Sequence, residues 1–197
     1  MEMINTDVEC TVRISPGDDM PTFITESINQ AKHKIWLMHS EIYDKRIADA
    51  LLFAAKKGLD VKVLTGKGDE GLFNLLQAGK VEVRSFQPNS YQGREMHQKV
   101  ALIDGEIILC GSVNYFDRSL EKDLENLLMI KDDLACSLFE AEFSKLWALS
   151  EVRKYSIKRK KPKIKISKVK HLKKLFLDLL LITSLIINFI LLLNTII

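Results

Sequence analysis

From Leu175 to Ile197 the sequence reads LFLDLLLITSLIINFILLLNTII, with Asp178 as its one charge. A stretch that is apolar on every helical face cannot be left in water. It must be buried either in an oligomer core or in a bilayer. As a helix at about 1.5 Å per residue it is about 34 Å long, enough for a hydrocarbon core of about 30 Å. Asp178 lies near the end where a charge costs least. Immediately before it stand Lys168, Lys170, Lys173 and Lys174, with the run KRKK at 158–161 further back. Positive residues flank the cytoplasmic ends of spanning helices. The segment is therefore expected to be a single-pass C-terminal membrane anchor, with the rest of the chain on the cytosolic side.

Charge divides the chain further. Residues 1–150 hold 17 Lys and Arg against 24 Asp and Glu, a net of −7, whereas residues 151–174 hold 12 basic residues and one acid, a net of +11. The overall +3 describes neither part. The expected organisation is a folded body over 1–150, a basic juxtamembrane linker over 151–174 and a transmembrane tail over 175–197. The N-terminal MEMINTDVEC has neither a basic nor an apolar signal region, so no secretory leader is expected. Cys10, Cys110 and Cys136 show no CxxC spacing and are expected as reduced, buried or half-buried thiols.

The body alternates between periods of two and 3.6 residues. Strands are expected at 8–14, 34–42 (KIWLMHSEI), 61–64, 81–86, 96–103, 106–110 and 124–130. Helices are expected from Pro21 to Ala31, after a cap at Asp44 with a stop at Gly58, over 72–76, and over 132–149. Asp104-Gly105 is a strong hairpin turn between two of the strands. The class is α/β, a mixed β-sheet flanked by helices, with one added C-terminal spanning helix.

The hairpin carries the chemistry: HQKVALIDGEIILCGSVN over residues 97–114. In a strand, residues i and i+2 share a face, so His97 and Lys99 project together. The returning strand ends at Gly111, Ser112 and Asn114, beside them. An ammonium, an amide, a hydroxyl and an imidazole on one spot suit a phosphate group, with His97 free to attack phosphorus. A serine-hydrolase reading of Ser112 lacks the G-x-S-x-G elbow. A zinc reading of His97 lacks companions, because His33 and His39 sit on an early strand without ligand spacing, and both are expected to be partly buried polar residues.

The pattern H-x-K, four residues, Asp, six residues, G-S-x-N closely resembles the phospholipase D superfamily, with His97, Lys99, Asp104, Gly111, Ser112 and Asn114 in every position. Glu125 in ENLLMI stands where a further acid is usual. The resemblance runs over roughly residues 20–148 and is closest to single-motif members: small bacterial endonucleases and mitochondrial-surface relatives. It implies a phosphodiesterase working without metal or other cofactor through a phosphohistidine, with one histidine attacking and a second protonating the leaving oxygen. One motif per chain then implies a homodimer with a shared site. His97, Lys99, Asp104, Asn114 and Glu125 are the expected catalytic set. Lys99, Ser112 and Asn114 bind substrate, Gly105 and Gly111 are structural, and Glu125, with Asp104 as the alternative, orients an imidazole. The expected substrate is membrane phospholipid, with nucleic acid as the alternative. A second H-x-K-x4-D at His171, Lys173 and Asp178 is a decoy: Leu185 and Ile186 replace Gly and Ser, and in a helix His171 and Lys173 lie about 200° apart.

Overall fold

The computed structural model describes residues 8–86 and 93–152. The strands are β1 (Glu9–Ser15), β2 (Lys34–Ile42), β3 (Asp60–Gly68), β4 (Glu82–Ser85), β5 (Lys99–Ile103), β6 (Ile107–Gly111), β7 (Glu125–Lys131) and β8 (Glu151–Val152). The helices are α1 (Met20–Asn29), α2 (Lys45–Lys56), α3 (Glu70–Ala78), α4 (Asp117–Glu121) and α5 (Asp133–Leu149). One eight-stranded sheet runs in the order β1-β7-β6-β5-β2-β3-β4-β8. β2, β3 and β4 are parallel, joined through α2 and α3, and every other neighbouring pair is antiparallel. The expected mixed sheet flanked by helices is the observed one.

Side-chain alternation sorts the core into two layers. Along β5, Ala101 and Ile103 join the layer with α1, α2 and α3, where Ile24, Leu51 and Phe73 are fully buried. Val100 and Leu102 face the other way, onto Cys136, Phe143 and Leu146 of α5. Each large side chain so buried contributes about 1.5–3 kcal/mol. Caps fix the helix starts: the Asp44 carboxylate accepts from the backbone N–H of Arg46 at 2.8 Å and of Ile47 at 3.2 Å, and Asp69 accepts from Leu72 at 2.7 Å.

Several expectations shift. β5 begins at Lys99 rather than at residue 96; one further bond, Ser40 N–H to the Gln98 carbonyl at 2.8 Å, continues the β2–β5 register before the pairing stops. β3 continues to Gly68, past its apolar run, because β2 offers it partners as far as Ile42. The short α4 and β8 have no periodic signal in sequence. His33 is exposed, not partly buried, because it lies in the turn before β2. His39 is fully buried rather than partly. Cys10 is exposed, on a face of edge strand β1 where Val12 and Ile14 are exposed too. Among the described residues no helix is long and apolar enough to cross a membrane. The expected anchor and the decoy motif lie outside the described residues.

Topology decides where polar groups gather. Parallel β2 and β3 end at the same edge of the sheet, where antiparallel β5 and β7 begin and β6 finishes. Ligands in open α/β sheets sit beyond the carboxyl ends of the parallel strands. Here that edge carries the hairpin residues singled out above.

Candidate active site

At that edge lies a cleft of about 350 Å³ lined by His97, Lys99 and Asn114, together with Ser40, Glu41, Lys67 and Glu95. The first three are the expected site residues, and the fold brings them together from two chain segments. His97 is exposed, two residues before β5. Lys99 opens β5 half-buried, and its Nζ donates to the His97 carbonyl at 3.4 Å. Both can therefore meet a phosphate that enters the cleft.

Lys99 stands opposite His39 in the β2–β5 register. His39 is sealed inside, stacked on Tyr115 with ring centroids 3.8 Å apart. Burial, with the nearby Lys99 charge, pushes its pKa down to about 3, against backbone hydrogen bonding at Glu41 and Val113. His39 is thus neutral and adds no positive charge beside Lys99.

Asn114 is fixed at both ends. Its side-chain Oδ1 accepts from the Ser40 hydroxyl at 2.8 Å, and its backbone N–H donates to Ser119 Oγ at 2.8 Å. The fully buried Ser119 hydroxyl in turn donates a hydrogen bond to Glu125 Oε1 at 2.6 Å. The Ser112 hydroxyl donates to Glu125 Oε2 and accepts from Asn126 N–H at 3.0 Å. Ser40 and Ser119 have no signal in the sequence, because each comes from an element outside the hairpin.

One expected role changes as a result. The single hydroxyl proton of Ser112 is committed to Glu125, so it is not available to a substrate. Glu125 accepts from two serine hydroxyls, and among the described residues of one chain it forms no hydrogen bond to His97. Those two bonds brace the Ser112–Asn114 segment.

Asp104 is corrected outright. It lies at the opposite end of β5 from Lys99, about 17 Å away at about 3.3 Å per residue. There its carboxylate accepts from the backbone N–H groups of Lys32 at 2.9 Å, His33 at 2.8 Å and Lys34 at 2.9 Å. Burial would raise its pKa, but those bonds, with the His33 charge, hold it below the usual carboxylate range. Its role is to pin the entry to β2 and not to touch a substrate. Gly105 beside it has φ +77°, the turn conformation that glycine adopts without strain. Gly111 permits close approach, since a Cβ there would overlap the Asn126 carbonyl. Among the described residues, no group of three or more His, Cys, Asp or Glu side chains could hold a metal ion.

A family model described as cardiolipin synthase, PLD-like domain, matches residues 24–147, which include every residue of this site. The chain belongs to the phospholipase D superfamily. This PLD-like chain is 24% identical over 151 residues to the mitochondrial cardiolipin hydrolase of Homo sapiens, covering 75% of this chain and 58% of that one. It is 33% identical over 148 residues to cardiolipin synthase A of Pseudomonas fluorescens, covering 66% of this chain and 30% of that one. The chain thus spans little more than half the length of the first of these relatives and less than a third of the second. The phospholipase D family member Nuc from Salmonella typhimurium shares the fold, with a TM-score of 0.68 and 21% identity over 75% of this chain and 99% of that one.

Proposed function

We propose that this PLD-like chain hydrolyses phosphodiesters without a metal, and that its substrate is membrane phospholipid. The observation that carries this reading is the convergence of His97, Lys99 and Asn114 on one 350 Å³ cleft at the sheet edge. A His97 imidazole nitrogen attacks phosphorus, so that a P–N bond forms as the P–O bond to the leaving alcohol breaks. That alkoxide is a poor leaving group and needs a proton from an acid on the opposite side. One cleft holds one such histidine, so a second copy of the chain supplies the acid, His97 again, across a two-fold axis. The same group then deprotonates the water that releases the phosphoryl group. Lys99 and the Asn114 amide stabilise charge on the phosphoryl oxygens throughout.

Charge in the cleft favours lipid over nucleic acid. Glu41 and Glu95 line it beside the two lysines, and neither forms an ion pair among the described residues. They repel a strand with a phosphate on every nucleotide more than they repel a single diester. The body's net −7 acts in the same direction. A tail over 175–197 anchored in a bilayer would hold the cleft at a high effective lipid concentration, with the lysines of 151–174 on anionic head groups. The nucleic-acid reading draws on those same 12 basic residues.

The test is the full chain, assayed in parallel on phosphatidylcholine vesicles, cardiolipin vesicles and single-stranded oligonucleotides. Head-group release from at least one lipid, at a kcat/KM about tenfold or more above oligonucleotide cleavage, is expected. The reverse order overturns the choice of substrate.

A further inference from the structure

We infer that Ser40, at the end of β2, is a positioning residue for Asn114 and sets which face of its amide meets the phosphate. This rests on the proposed function. The placement follows from how β2 ends. Beyond Lys99 the β2–β5 contact keeps only the bond from Ser40 N–H to the Gln98 carbonyl, so Glu41 and Ile42 need new partners. The chain leaving β6 supplies them. Tyr115 N–H donates to the Glu41 carbonyl at 3.3 Å, and its own carbonyl accepts from Tyr43 N–H at 2.7 Å and Asp44 N–H at 2.9 Å. Asn114 is drawn against Ser40 by this splice, and both side chains line the cleft.

Ser40 is 6% exposed, and its hydroxyl donates to Asn114 Oδ1 at 2.8 Å. With the oxygen anchored inward, the amide NH2 turns toward the cleft with two donors for phosphoryl oxygens. The terminal amide torsion is broad and two-fold, so without an anchor the group can present its oxygen to the phosphate instead. An oxygen facing the phosphoryl oxygens repels the charge that the transition state develops. Ser40 thereby acts on turnover through Asn114 while touching neither phosphorus nor the leaving group.

The experiment measures steady-state hydrolysis of bis(p-nitrophenyl) phosphate by the full chain, with melting temperatures recorded alongside. Ser40→Ala is expected to lower kcat/KM by about tenfold, in line with loss of one buried hydrogen bond. Ser40→Thr, which keeps the hydroxyl, is expected within about threefold of wild type. Ser40→Cys keeps the volume but donates poorly, and is expected to match Ser40→Ala, so a folding defect in one variant does not decide the outcome. In an Asn114→Ala background the Ser40→Ala effect is expected to shrink to less than about twofold, the signature of two residues acting as a unit. A Ser40→Ala enzyme within about twofold of wild type overturns the inference alone, as does an undiminished effect in the Asn114→Ala background. A wild-type chain with no turnover overturns the functional reading and this inference with it.

Discussion

Replacing His97 by alanine is expected to lower turnover of bis(p-nitrophenyl) phosphate by about 10³-fold or more, with little change in melting temperature. The side chain is exposed and packs into neither core layer, so stability has little to lose. Catalysis has two things to lose at once, since each shared site would miss both the attacking imidazole and the acid opposite it. Each is worth about 10²–10⁴-fold or more by itself. Chelator is expected to leave the wild-type rate unchanged, because Lys99 from each copy supplies the charge that a metal would otherwise provide. Activity above one-tenth of wild type in the variant, or loss of activity with EDTA, contradicts the mechanism. His171→Ala, in the decoy motif, is expected to turn over at the wild-type rate.

The second large effect concerns assembly. Co-expressing wild type and His97→Ala in equal amounts is expected to give about one-quarter of the activity of the same total amount of wild type, because random pairing leaves about one-quarter of dimers with both histidines. Independent monomers would retain about one-half. A heterodimer keeps one imidazole and lacks either nucleophile or acid, so it contributes little. Activity that follows the wild-type fraction linearly overturns the shared site.

What could be read in the sequence was local. β2 over Lys34–Ile42, the Asp44 cap and the Asp104–Gly105 turn are set by residues within a few positions of one another, and each stands where pattern places it. His97, Lys99 and Asn114 meet because a hairpin register fixes them. Apart from Glu125, what is brought in from outside the hairpin stayed hidden. Ser40 and Glu41 come from β2, Lys67 from β3 and Ser119 from α4, and no spacing rule links those elements to residue 114. Asp104 shows the same limit in reverse. Its position in the turn was legible, but its partners lie some 70 residues earlier, at Lys32, His33 and Lys34. Spacing alone could therefore not separate a group that binds backbone from one that handles protons. The Ser112 hydroxyl was read differently for a similar reason, because the carboxylate that accepts its hydrogen bond, Glu125, sits on the next strand of the sheet.

The most direct test of the central claim is to trap the covalent intermediate. The full chain would be mixed with a phosphorus-labelled diester in the presence of EDTA and quenched in alkali, where a phosphorus–nitrogen bond survives. The peptide spanning 95–99 would then be weighed. The account predicts a phosphoryl adduct on His97 that builds up within one turnover and decays as water releases it. Turnover with no adduct at any time, or an adduct on another residue, would contradict it.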